Sequence, residues 1–272
     1  MSGWQQMVNT DVLTLGMAAD EARRAHAPDG VVTYVRVHAV SPADLAASAS
    51  IPEAASEIRL YATPATLDEA LDQVRALREA AGSRRVSAFS MADIEQRGWG
   101  GMAQVLAQLA GAGLDDVAAL PVDQVADLSA SIRALRDAGL QPERISVQHP
   151  LGDRKTEIIT TVQQALAASG PVRRFAPLPR VAPSDKPTTG YDDLRMVALS
   201  RLALGALSIE VDWMLYGPKL AQVALTFGAD HLDGVPATDD PDLGRRRATA
   251  EDVERNIRAA GFQPRLLAAL GH

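Results

Sequence analysis

Hydrophobic and polar positions follow two rhythms along the chain, and the rhythms take turns. Short β-branched runs recur at VVTYVRVH (31–38), EIRLYA (57–62), RVSAFS (85–90), DDVAAL (115–120), RISVQH (144–149), VRRFAPL (172–178), LSIEVDW (207–213) and GADHLDG (228–234). Between them apolar residues return every third or fourth position, the spacing that covers one face of a helix. In LDEALDQVRALREAAG, Leu67, Ala70, Leu71, Val74 and Leu77 form such a stripe. Gly82 ends it, with Arg75 and Arg78 in the last turns, where the helix dipole favours cations. VDQVADLSASIRALRDAG repeats the pattern up to Gly139, and DDLRMVALSRLALGAL opens on Asp192 and Asp193, where the dipole favours anions. Thr66 with Glu69, and Thr249 with Asp252, read as N-terminal caps. SPADLAASASIPEA predicts a brief helix at most, and the Pro-rich APLPRVAPSDKPTTG (176–190) a loop over one end of the domain.

Strands that alternate with helices pair in parallel through right-handed crossovers, and eight such units close into a (β/α)8 TIM-type barrel. The pattern therefore predicts a single barrel domain over residues 1–272. A helix, DVLTLGMAADEARRAH (11–26), precedes strand one and flanks or plugs the barrel bottom; AEDVERNIRAAG is the last helix and PRLLAAL a short tail. A doubly wound open sheet is the competing arrangement. Neither G-x-G-x-x-G after the first strand nor a P-loop pattern is present to support it.

Composition narrows the function classes. The 272 residues are 47% hydrophobic and 22% charged, as in an ordinary globular protein. Net charge is −7 and basic residues are scattered, so no nucleic-acid partner is expected. The one dense basic cluster, Arg245-Arg246-Arg247, reads as a solvated loop before a phosphate contact. No apolar run approaches the ~20 residues of a membrane span. MSGWQQMVNTDV lacks the basic and apolar regions of a secretory signal, so no membrane and a cytoplasmic location are expected. Zero cysteines exclude disulfides, thiolate nucleophiles, cysteine-ligated zinc and cysteine-ligated iron–sulfur clusters.

In a barrel of this type ligands bind where the strands end at their carboxyl side. The predicted ends carry His38, Tyr61, Ser90, Pro121, Gln148 with His149, Arg174, Glu210 with Asp212 and Trp213, and Asp230 with His231 and Asp233. Of these, His38, Gln148, His149, Arg174, Asp212, Trp213, Asp230, His231 and Asp233 are expected to line a ligand site. Each also has a plainer reading. A strand-end histidine often serves a loop hydrogen bond, Asp212 and Asp233 would cap the helices that follow, Trp213 would be a rim residue, and Arg174 surface charge. A barrel zinc hydrolase needs a fuller histidine set than His38 and His149 supply, and no G-x-S-x-G elbow is present. No catalytic residue is singled out, and neither a metal nor a cofactor is expected.

The C-terminal half, RFAPLPRVAPSDKPTTGYDDLRMVALSRLALGALSIEVDWMLYGPKLAQVALTFGADHLDGVPATDD followed by TAEDVERNIRAAGFQPR, resembles the radical S-adenosylmethionine enzymes of the aminofutalosine synthase group. That group includes cyclic dehypoxanthinyl futalosine synthase and the deazaflavin-cofactor synthase subunit. LTLGMAADEARRAHAPDGVVTYVRVH resembles the helix and first strand that precede the family's cluster loop, while the middle of the chain matches in pattern only. The resemblance implies a (β/α)8 frame and a four-iron cluster held by a C-x-x-x-C-x-x-C loop after strand one. That position reads VHAVSPADLAAS here, so radical cleavage of S-adenosylmethionine is excluded. Two further departures are Lys155, in Gly152-Asp153-Arg154-Lys155-Thr156, where the family's G-H-x-E-T has an acid, and VPATDD in place of G-T-x-x-E-E.

In the segment Ile209–Gly234, Gly217-Pro218 is expected to start a helix, with Leu220, Val223, Ala224 and Phe227 inward and Asp230 to Asp233 on the rim. Three functions stay open. The first is a cluster-free barrel that serves menaquinone biosynthesis by the futalosine route, binding a nucleoside-like molecule or a true radical enzyme. The second is a repurposed hydrolase or lyase with His38, His149, Asp212 and His231 as acid/base candidates. The third is a structural subunit of a hetero-oligomer.

Overall fold

The computed structural model describes residues 3–27, 29–47, 50–181, 188–239 and 249–267. Part of the Pro-rich loop, the Arg245–Arg247 triplet and the end of the chain lie outside them. Eight parallel strands follow one another around a nearly closed barrel: β1 (Val31–Val40), β2 (Glu57–Leu60), β3 (Arg85–Ser90), β4 (Asp116–Ala119), β5 (Arg144–Val147), β6 (Arg174–Pro179), β7 (Ser208–Asp212) and β8 (His231–Pro236). The seam between β4 and β5 is the thinnest. It is closed by a Pro121–Ser146 bridge, by Ser146 N–H donating to the Leu120 carbonyl, and by Gln141 N–H donating to Asp115. A ninth strand, β9 (Gln263–Leu266), stands where a tail was expected. β1 is ten residues long and β2 meets only Val37–Val40, so β9 takes the edge left at Val31–Tyr34.

The helices are α1 (Val12–His26), α2 (Pro42–Ala46), α3 (Leu67–Ala81), α4 (Met91–Arg97), α5 (Met102–Gly111), α6 (Leu128–Asp137), α7 (Lys155–Ser169), α8 (Gly190–Leu204), α9 (Trp213–Leu225) and α10 (Ala250–Ala259). Caps set their starts as the sequence predicts: Thr66 and Glu69 form a reciprocal capping box on α3, and Thr249 caps α10. α6 begins later than its apolar pattern, because Asp127 caps Ala130 N–H and cuts off the preceding turn. α1 packs along α8 outside the barrel rather than under it, which explains why α8 is buried from Met196 through Arg201. Asp11 caps α1, and Arg23 lies over the Phe262 ring at 4.1 Å. α9 breaks at Gly217, whose φ of 72° no β-branched or bulky residue adopts cheaply, and Pro218 begins its second segment. Ala224 and Phe227 pack inward as expected, whereas Val223 is exposed.

The apolar core lies between the strands' outer faces and the helices. Ile58, Leu60, Val86, Ala88, Ile145, Val147, Ile209, Val211 and Leu232 are all buried there. Strand residues alternate, so their neighbours face into the barrel. Those neighbours are Glu57, Arg59, Arg85, Ser87, Asp116, Arg144, Ser146, Arg174, Glu210, Asp212, His231 and Asp233. Where barrels of this type usually pack branched apolar side chains in layers, this one packs ions.

Candidate functional site

The ions pair with one another through the barrel. Asp233 on β8 accepts two hydrogen bonds from Arg59 on β2, at 2.8 and 3.0 Å, and pairs with Arg144 on β5. Arg59 also pairs with Glu57, and Arg144 with Glu210 at 3.1 Å. Lower down, Arg85 bridges Asp116 and Glu143, and Arg174 donates to Glu143 at 2.6 Å. At the top, Arg180 meets Glu210 at 3.2 Å, Asp212 at 3.3 Å and Asp233 at 3.5 Å. Arg59 and Asp233 are 0% and 1% exposed, and such charges persist in a dry interior only when each has its partner.

The pairing shows in the protonation of each group. Burial would raise the Asp233 carboxyl, but Arg144 and Arg59 override it and hold it well below the usual range. Burial likewise opposes ionisation of Glu57, yet Arg59, Arg85 and Arg144 bring it down to about 2. Asp116 goes the other way: burial pushes it up to about 7, and Arg85 offsets only part. Its Oδ1 has no hydrogen-bond partner. Burial and the Arg174 guanidinium push His231 well below its ordinary value. An arginine can only donate, so His231 Nε2, 3.0 Å from Arg174, is the acceptor, and Nδ1 carries the proton toward Thr33 Oγ1 at 2.7 Å.

Above this floor opens a cavity of about 780 Å³ at the carboxyl ends of the strands. Its walls include His38, Tyr61, Phe89, Ser90, Gln148, Arg180, Asp212 and Leu215. Of the residues predicted to line a ligand site, His38, Gln148 and Asp212 do share this mouth. Asp212 also caps α9, accepting from Leu215 N–H at 3.0 Å. Gly234 (φ +68°) packs so closely on Asp212 that a Cβ would stand 2.9 Å from its Oδ1.

The other predicted residues stand elsewhere. β8 starts at His231, three residues later than its apolar pattern, so Asp230, His231 and Asp233 are not on the rim. Asp230 is below the barrel, bonded to Ser208, to Ile209 N–H and to Arg201. His231 and Asp233 are interior. Arg174 is the first residue of β6 rather than near its end, and it too points into the interior ion network. Trp213 is 0% exposed and part of the core, neither rim nor platform. His149 is 56% exposed, pairs with Asp123 at 3.4 Å and borders a second cavity of about 620 Å³ with Lys155 and Asp193. Lys155 reaches Gly152 O and, at 3.8 Å, Asp192. The four acid/base candidates therefore do not form one constellation. Sequence reasoning passed over Arg180 and Asp93, both of which line the mouth; Arg180 follows a proline in an irregular stretch and carries no periodic signal.

The described residues do not fit a cluster after β1 or a metal in the barrel interior. After β1 the chain turns into α2, where Ser41 and Asp44 cap each other and Asp44 accepts from Ser41 N–H at 2.8 Å. His38 and Asp44 are the only imidazole or carboxylate groups from β1's end through α2, and the chain has no thiolate to hold an iron–sulfur cluster. Among the described residues one triplet brings metal-type donors together, Glu210, His231 and Asp233, within 4.8 Å. Arg144, Arg174 and Arg180 already occupy its lone pairs, and three guanidiniums repel a further cation.

Solved structures share this architecture. A methylornithine synthase superposes with a TM-score of 0.65 at 11% identity, covering 96% of this chain and 93% of its own. HydG, a maturase of the FeFe-hydrogenase, gives 0.63 at 10% identity, covering 95% and 70%. The chain thus has a (β/α)8 barrel fold that it shares with these enzymes. Residues 175–270 match the family described as the CofH/MqnC C-terminal region. Aminodeoxyfutalosine synthase of Streptomyces coelicolor is 37% identical over 83 residues, 28% of this chain and 21% of that protein. A 5-amino-6-(D-ribitylamino)uracil–L-tyrosine 4-hydroxyphenyl transferase of Methanosarcina barkeri is 32% identical over 96 residues, 30% and 25% of the two. The matched stretch thus spans about a quarter of these relatives' length or less. Over residues 175–270 the chain is therefore similar to the CofH/MqnC group, and it has no cysteine.

Proposed function

We propose that this protein is a cluster-free member of the radical-enzyme barrels that binds a small molecule at the barrel mouth and generates no radical itself. The observation that carries the reading is a juxtaposition. A capped helix, α2, stands where the cluster loop would be, while a cavity of about 780 Å³ is kept open beside it. That volume is in the ordinary range for small-ligand sites. The relatives' names point to nucleoside-like or ribityl-bearing chemistry, and a nucleoside of the futalosine route to menaquinone is the ligand this reading favours. A true radical enzyme of that route is the favoured protein partner.

The test has two arms. The purified protein is put through anaerobic iron–sulfur reconstitution with S-adenosylmethionine and dithionite, and separately titrated with aminodeoxyfutalosine by calorimetry. The reading expects no cluster-like visible absorbance, no 5′-deoxyadenosine and saturable nucleoside binding. Production of 5′-deoxyadenosine by the pure polypeptide overturns the first part, and a flat titration the second.

A further inference from the structure

Among the described residues at the mouth the charged side chains are engaged, whereas Gln148 and Ser90 have no side-chain partner. Arg180 is held by Glu210, Asp212 and Asp233. Asp212 is in turn committed to Arg180 and to the α9 cap. Asp93 accepts from Thr63 Oγ1 at 3.0 Å. A phosphate arriving here finds, among the described residues, no cation free of a carboxylate partner, and must compete for Arg180 or lose its hydration uncompensated.

Gln148 and Ser90 differ in kind. The Gln148 backbone is clamped on both sides: its N–H donates to Asp123 at 2.8 Å and its carbonyl accepts from Val181 N–H at 2.9 Å. Its side-chain amide has no partner among the described residues and borders the cavity. Ser90 occupies the N-cap position of α4, where a serine oxygen ordinarily bonds the first turn, yet it makes no cap bond. It too borders the cavity. An amide presents a donor and an acceptor side by side, the arrangement that pairs with the edge of a heterocyclic base.

We infer that the mouth takes a nucleoside-like ligand without a phosphate and reads its uncharged, hydrogen-bonding ring through the Gln148 amide and the Ser90 hydroxyl. The inference rests on the reading of the mouth as a ligand site and adds to it the chemical class that is admitted. His38 on the same wall agrees with this: burial holds its imidazole below the ordinary value, so it is neutral at neutral pH.

The experiment titrates the full chain at neutral pH with adenosine and with adenosine 5′-monophosphate, then repeats the adenosine titration on Gln148→Ala and Ser90→Ala. Adenosine is expected to bind about ten-fold or more tightly than the monophosphate, and each substitution to weaken adenosine by about the same factor. Because neither side chain bonds to another described residue, both variants should melt with the parent. Monophosphate binding equal to or tighter than adenosine overturns the selectivity and leaves the mouth reading standing. So does adenosine affinity unchanged in both variants. If neither compound binds, the mouth reading falls and this inference with it.

Discussion

Asp233→Asn is the substitution that asks most of the interior network. The amide keeps the shape of the carboxylate and removes its charge from between Arg59, Arg144 and Arg180. Five arginines (Arg59, Arg85, Arg144, Arg174, Arg180) face six carboxylates (Glu57, Asp116, Glu143, Glu210, Asp212, Asp233) along the barrel axis. Asp116, pushed up to about 7, carries a proton for much of its time at neutral pH, which brings the two sides level. Asp233→Asn then leaves one guanidinium of a largely buried cluster uncompensated. Breaking one partner of a buried pair costs about 3–5 kcal/mol. For a chain of this size that corresponds to a fall in melting temperature of roughly 6–20 °C. Differential scanning calorimetry at neutral pH reads it directly. The exposed pair Arg75–Asp72 supplies the control, since Asp72→Asn should leave the melt where it was. If Asp233→Asn melts together with Asp72→Asn, the barrel interior is not held by its ions, and the account of the core given above is wrong.

Other outcomes follow from the same geometry. Asp116 binds its proton more tightly folded than unfolded, so its contribution to stability is present below pH ~4 and is lost as pH rises through about 7, a span of about 4 kcal/mol. His231 has the opposite sign, because the unfolded chain protonates below its ordinary value of 6.5 while the folded imidazole stays neutral, so stability falls on acidification. Chemical denaturation of Asp116→Asn beside the parent separates the two: the variant should gain on the parent between about pH 4 and 7 and level off above, and a constant difference would refute the assignment. Gly234→Ala forces a side chain into a left-handed backbone against Asp212 Oδ1, with an expected loss of about 1–3 kcal/mol and weaker ligand binding; equal stability by urea titration would show that Asp212 can move aside. Thr66→Ala removes one half of the α3 capping box and should cost about 1 kcal/mol in the same assay.

Much of the barrel could be read directly from the chain. Strand periodicity, the caps at Thr66 and Thr249, and Gly82 as a helix stop are local signals, set by neighbours a few residues away, and each element stands close to where its pattern puts it. The missing cysteines are local in the same sense: no folding can supply a thiolate, so composition alone excludes a cysteine-held cluster. Register was harder. Reading β8 as 228–234 instead of His231–Pro236 moved Asp230, His231 and Asp233 from the bottom and middle of the barrel to its rim. Trp213 ended a strand by pattern, but it begins α9 and turns into the core.

The nature of the interior could not be obtained without closure of the sheet. Glu57-x-Arg59, Arg144-x-Ser146, Glu210-x-Asp212 and His231-x-Asp233 each alternate a polar residue with an apolar one, the same pattern a strand shows when one face meets water. In an open sheet those side chains would be solvated. Closing eight strands turns that face inward, brings carboxylates and guanidiniums from distant parts of the chain within hydrogen-bond reach, and removes the water that would otherwise separate them. Periodicity specifies which residues share a face, whereas the curvature of the sheet determines whether that face is surface or core.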